Sequence, residues 1–291
     1  MLSLEIYQEV KRLEIETKRI VNSTFAGEYH SAFKGQGMEF DEVRPYMEGD
    51  DIRFIDWNVT AKMNYPYVKV FREERELSVF LLIDLSASMF FGSTSETKRQ
   101  LLLKISALLA LVSMKNNDRV GLIIFTDRVE KVILPKKGRK HVLRLIQDIL
   151  SSEPKSRKTD LANPLSIIAK LPLKKSILFI ISDFKSKKFE KPMDIIAKRH
   201  DIVPIVIKDS LEKIFFGDFL VRLKDLETGK NIIMDARKKE IRNAFQQKAI
   251  EENEKLRNYF ISRDLDFIEL LTGEPYINKL VNYFKRRIKR K

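Results

Sequence analysis

From Glu76 onward, runs of apolar residues alternate with segments of helical period. The apolar runs fall at 79–83, 120–125, 177–181, 202–207 and 265–271, and the helical segments near 96–115, 140–151, 161–171, 191–199, 237–262 and 275–288. A strand that is apolar at nearly every position is buried on both faces, so the alternation predicts an α/β fold, a mostly parallel sheet with helices on both faces. Upstream, Ile6, Val10, Leu13, Ile20 and Val21 repeat at helical spacing between charged residues, and a helix of that kind must dock on something. Between 22 and 75, Gly27, Gly35, Gly37, Pro45, Gly49 and Pro66 break the chain into short extended pieces and turns. The expected organisation is therefore a small module over 1–75 and the α/β domain over 76–291. Two short apolar pieces at 219–223 and 232–234, joined through Thr228-Gly229-Lys230, predict a hairpin inserted near 211–235.

The candidate chemistry sits where the predicted strands end. Asp84, Ser86 and Ser88 follow the first run directly, which places a carboxylate and two hydroxyls in one turn. Oxygen donors of this kind suit a hard divalent cation, Mg2+ or Mn2+, but fill only part of its shell. Thr159, in the polar connection Lys158-Thr159-Asp160, and Asp183, at the end of another apolar run, offer the remainder. The triplet is expected in a surface turn, so that losing Asp84 removes the metal without unfolding the chain. Each residue also has a simpler reading, because Asp, Ser and Thr cap helices and form turns. Met89-Phe90-Phe91, just beyond the triplet, read as packing under the first helix or as apolar contact for a partner. His30, His141 and His200 have no metal-ligand spacing.

Composition narrows the class. The 291 residues contain no cysteine, which removes disulfides, thiolate metal sites and cysteine nucleophiles together. Glu5 falls where a signal peptide needs its apolar region, and the apolar patch 105–114 is half of the ~20 residues a membrane span requires, so a cytoplasmic protein is expected. The formal charge is +14, from 55 basic and 41 acidic residues, and part of it is concentrated in Lys285 to Lys291. That run complements the dipole of a helix end, or draws the chain to the inner face of an anionic membrane. No zinc spacing or RNA-binding signature accompanies the charge, so nucleic acid is not expected as a partner.

The strand-end Asp-x-Ser-x-Ser turn on an α/β sheet resembles the metal-ion-dependent adhesion site of von Willebrand factor A domains. Upstream, Gly35-Gln36-Gly37-Met38-Glu39-Phe40-Asp41-Glu42-Val43-Arg44-Pro45-Tyr46, Gly49-Asp50-Asp51-Ile52-Arg53-Phe54-Ile55-Asp56-Trp57 and Thr60-Ala61 look like the signature of the bacterial domain-of-unknown-function family fifty-eight. Its members place this block before a von Willebrand factor A-like domain. The resemblance implies that Ser86, Ser88 and Thr159 ligate the metal directly while Asp84 and Asp183 act directly or through water. Two glycines commonly precede that threonine in the family, and here they are Arg157-Lys158. Asp50, Asp51, Arg53 and Asp56 read as turn formers in an internal ion-pair network, and Trp57 as a buried anchor.

Two aspartates would offset the ion's charge and leave a position open to a partner's carboxylate. The expected function is thus a protein-binding module without enzyme activity. The resemblance implies the partner, a MoxR-type AAA+ ATPase, together with the client that the pair remodels. A magnesium-dependent phosphohydrolase is the competing class, since a strand-end aspartate can accept a phosphoryl group. Ser86 stands where its second acid would be expected, and no P-loop or G-x-S-x-G elbow is present. Recruitment to a membrane by the basic C-terminal run is a third reading, compatible with the first.

Overall fold

The computed structural model describes residues 4–20, 25–33, 38–73, 77–186, 188–212 and 219–290. Val21, Gly35, Gln36, Gly37, Glu76 and Lys291, named above, lie outside them. The chain divides into two compact units, residues 33–77 and the remainder, 1–32 with 78–291. The amphipathic α1 (Leu4–Ile20) and the short α2 (Ala26–Phe33), which the sequence pattern did not reveal, thus group with the large unit and not with the expected 1–75 module. The reason is burial. Tyr29 is fully buried with its hydroxyl 3.0 Å from Ser113 Oγ, and Phe25 packs edge-on against Phe284.

In the small unit, β1 (Met38–Pro45) and β2 (Tyr67–Glu73) form an antiparallel pair with a bulge between Phe40 and Glu42, separated in sequence by α3 (Trp57–Met63). The ionic residues of the signature are consumed here. Arg44 grips Asp50 through both terminal nitrogens, at 2.7 and 2.8 Å, Arg53 grips Asp51, and Asp56 caps α3 through the N–H groups of Asn58 and Val59. The network expected from the sequence is present. Trp57 departs from expectation, because it opens α3 with its side chain outward and is 70% exposed. Trp57→Ala is accordingly expected to change unfolding free energy by less than about 0.5 kcal/mol in a urea titration; a loss of several times that would mean the indole is buried after all.

The large unit is built on β3 (Ser78–Asp84), α4 (Lys98–Lys115), β4 (Arg119–Phe125), β5 (Val129–Lys136), α5 (Arg139–Ser151), α6 (Ala162–Lys170), β6 (Ile177–Ser182), α7 (Glu190–Ala197), β7 (Asp201–Lys208), β8 (Leu220–Lys224), β9 (Asn231–Asp235), α8 (Lys239–Ser262), β10 (Ile268–Leu271) and α9 (Tyr276–Arg290). Six strands form one sheet in the order β10-β7-β6-β3-β4-β5, parallel except for β5. Strands β3, β6 and β7 are buried almost throughout, with Phe80, Leu82, Leu178 and Ile180 facing Leu165, Ile168, Met193 and Phe260 of the helices on one side. Helix α4 covers β3 and β4, and α5 packs on β4. This is the mostly parallel α/β class expected. β5 escaped the sequence reading because it is an edge strand of alternating exposure, and Pro135 sits where an edge tolerates it.

β8 and β9 form the hairpin expected near 211–235, a two-stranded sheet of its own. The basic C-terminal run is also only partly free. Its residues 285–290 belong to α9, where Arg287 pairs with Asp201 and Arg290 with Asp266.

Candidate metal site at the ends of β3 and β6

From β3 the chain proceeds outward through β4 to β5, then returns to β6 on the other side of β3 and continues to β7 and β10. Strand order reverses between β3 and β6, and the crevice beyond the carboxyl ends of such a pair is where open α/β sheets bind ligands. Asp84 closes β3 and Asp183 follows β6, so the topology puts both carboxylates at that crevice.

Asp84 is fully buried, which corrects the expectation of a surface turn, because β3 is central and covered on both faces. Its Oδ1 accepts from the N–H of Ser86 at 2.9 Å and its Oδ2 from Ser182 Oγ at 2.5 Å. Ser86 is buried and begins the short 3₁₀ turn Ala87–Phe90, which aims the hydroxyls of Ser86 and Ser88 at each other, 3.1 Å apart. Asp183 lies close enough for its charge to act on Asp84, and Ser88 helps to favour the ionised form of Asp183. Four of the five predicted residues are thereby brought together. Thr159 lies on the loop that backs this turn, where the carbonyl of Arg157 accepts from the N–H of Ala87 at 3.0 Å, and its hydroxyl donates to Glu227 Oε1 at 2.6 Å. Of the three residues after the Asp-x-Ser-x-Ser triplet, Met89 is buried, while Phe90 is 43% exposed beneath the guanidinium of Arg99.

The backbone after Asp183 is strained. Phe184 has φ 57°, a left-handed conformation costly for a side chain of its size. Edge-on packing of its ring against Phe189 and Phe260 holds it there, and its N–H donates to Ser182 Oγ. The strain turns the chain sharply just past the acid.

The sequence reading missed Lys98. Its ammonium is fully buried, 2.8 Å from Asp183 Oδ2 and 2.6 Å from Glu212 Oε1, and Glu212 also meets Lys185. Burial raises the cost of ionising Asp183, but Lys98 and Lys185 outweigh it and hold this carboxyl below its ordinary range. Asp84 has no such cation. Burial, reinforced by the charge of Asp183, pushes it up to about 7. A third strand-end acid, Asp209 after β7, is spent on structure, accepting from Ser93, Thr272 and the N–H of Leu211.

The donor set fits magnesium or manganese. Among the described residues no three His, Asp or Glu side chains are grouped to hold a metal; a carboxylate with two hydroxyls is a donor set that hard cations accept and zinc seldom does. The 3.1 Å between Ser86 Oγ and Ser88 Oγ is also the spacing of two adjacent corners, about 3 Å, in an octahedron with bonds near 2.1 Å. Asp84, Ser86 and Ser88 would hold the ion, with the charge of Asp183 beside them.

A groove of about 620 Å³ opens beside Ser88, walled by Phe91 and Leu211, by Leu223 of the hairpin and by Phe245 of α8, with Lys185 and Glu212 at its rim. No helix among the described residues is long and apolar enough to cross a membrane.

The profile of the family described as "Protein of unknown function DUF58" matches residues 42–255. Uncharacterized proteins of Mycobacterium tuberculosis and Mycobacterium bovis are each 29% identical over 225 residues, covering 76% of this chain and 70% of theirs. Among solved structures, BatB of Bacteroides thetaiotaomicron is similar at 11% identity and a TM-score of 0.48, over 73% of this chain and 99% of that one. The SpRpn10 VWA domain is similar at 13% identity and a TM-score of 0.40, over 71% of this chain and 94% of that domain.

Proposed function

The chain belongs to the DUF58 family, and from that premise we propose that it is a protein-binding module whose Asp84, Ser86 and Ser88 hold Mg2+ or Mn2+ for a partner's carboxylate. The observation that carries this is the meeting of Asp84, Ser86, Ser88 and Asp183 at the crevice between β3 and β6, beside a groove with apolar walls. When bound, the ion supplies Lewis acidity toward an incoming oxygen. The residues do the rest: Asp84 supplies charge, the two hydroxyls fix the ion's position, and Lys98 keeps Asp183 ionised at the site's edge. The partner this reading takes from the family is a MoxR-type AAA+ ATPase, with the client that the two remodel.

The reading is not that of an enzyme. A phosphohydrolase built on Asp84 would be expected to carry a second acid two residues on, and Ser86 occupies that place. No metal-dependent turnover of phosphate esters or nucleotides is expected, and hydrolysis lost in Asp84→Asn would displace the binding reading.

Co-purification of the full chain with the AAA+ ATPase under three conditions tests the mechanism. Binding through the ion should be lost with chelator and in Ser86→Ala yet persist in moderate salt. An association driven only by the net charge of +14 would survive chelator and disappear in salt, and that result would sink the proposal.

A further inference from the structure

The inserted hairpin has no assigned purpose, and its turn points at the candidate site. Asp225 builds that turn, accepting from the N–H groups of Glu227 and Thr228 and from Thr228 Oγ1, while Gly229 takes the positive φ, 72°, that closes it. Glu227 is thereby presented on a fixed frame and meets Thr159 Oγ1 at 2.6 Å, on the loop that backs the Ser86–Ser88 turn. Glu227 and Ser88 line the same groove, and Leu226 lines a second hollow, of about 310 Å³, with Ala87 and Phe90. The hairpin therefore lies over the serine turn from both sides.

Charge gives Glu227 a reason to be there. Asp183 is committed to Lys98 and Asp209 to hydroxyl and N–H donors, whereas Asp84 has no cation beside it among the described residues. A divalent ion at Asp84, Ser86 and Ser88 gains from a second negative charge nearby, and Glu227 is a carboxylate at the groove that no lysine or arginine among the described residues is seen to hold.

The hairpin is also lightly held. It forms a separate two-stranded sheet, a unit marginal by itself in water, and Leu220, Ile232 and Ile233 are more than half exposed. The 620 Å³ groove between it and α8 is unfilled by its own side chains.

Resting on the metal-site reading above, we infer that Glu227 is a carboxylate that the chain itself supplies to the ion, in the place a partner's aspartate or glutamate would take. The hairpin is then a cap that a partner must lift, and the groove beneath it is the surface uncovered for that partner's apolar residues. Selectivity follows: a partner succeeds only if it brings both an acid for the ion and enough apolar contact to replace the hairpin's.

The test uses the full chain with Mn2+ alone as probe, comparing wild type, Glu227→Gln and Asp84→Asn. Glu227→Gln should weaken Mn2+ binding about tenfold and raise the water-proton relaxation per bound ion, because water enters the vacated position. In wild type, Mn2+ should slow tryptic cleavage at Lys224 and Lys230, and in Glu227→Gln it should not. If Asp84→Asn loses Mn2+ while Glu227→Gln matches wild type in affinity, relaxation and cleavage, the internal carboxylate is overturned and the metal site stands. If Asp84→Asn binds Mn2+ as wild type does, both fall.

Discussion

Replacing Lys98 by methionine is expected to destabilise the protein by about 3–5 kcal/mol, because it strips the buried Asp183 of its ion-pair partner and leaves only the half-exposed Lys185, seated on Glu212, to balance two acids. Burial alone would lower the Lys98 pKa, yet the two carboxylates raise it above its ordinary value, so the ammonium is charged across the physiological range. Methionine fills similar volume, and the loss would therefore report the orphaned charges and not a cavity. Thermal unfolding followed by circular dichroism should show a drop of roughly 10 °C. Adding Asp183→Asn to the methionine variant should recover part of it, since neighbouring substitutions that share one interaction are not additive. A drop of one or two degrees in the single variant would mean that water, and not Lys98, balances the acids.

Lys98 also shows where sequence reasoning stops. It is the first residue of α4, and a lysine at a helix N-terminus opposes the dipole, so pattern and charge both place it in solvent. Its burial depends on Asp183, 85 residues away, and on Glu212 farther still, which no local period reports. Asp84, Ser86, Ser88 and Asp183 were legible because each stands at the end of an apolar run, where the strand period fixes position without tertiary information. The five parallel strands and their helices were legible for the same reason. β5 was not, since an edge strand with polar residues on alternate positions resembles a loop. Trp57 was misread on size: an indole is usually buried, but here the ion pairs of Arg44, Asp50, Arg53 and Asp51 form the small unit's frame and leave the ring outside. Glu227 gave no signal, because a glutamate in a hairpin turn is ordinary until the fold places Thr159 opposite it.

Asp84→Asn is expected to abolish the effect of magnesium on stability and, in the metal-free protein, to remove a pH dependence. The folded-state pKa of Asp84 is raised to about 7 from an unfolded value near 3.9. A raised pKa means that the folded state holds the proton more tightly, so this contribution to stability is complete below about pH 4 and is lost as pH rises through about 7. With chelator present, wild type should therefore melt at lower temperature at pH 8 than at pH 5.5, and Asp84→Asn should lack this component of the decline. Magnesium acts in the opposite sense: it binds the ionised carboxylate, so its affinity should increase through the same interval. At pH 8 and a concentration one hundred times the dissociation constant, the ion should add about 2.7 kcal/mol to wild type. It should add nothing to Asp84→Asn, whose amide keeps the side chain's size but supplies no charge. Scanning fluorimetry from pH 5.5 to 8.5, with magnesium or with chelator, reads both effects at once. Equal stabilisation of the two proteins by magnesium at pH 8 would place the ion elsewhere and leave Asp84 a buried acid of the fold.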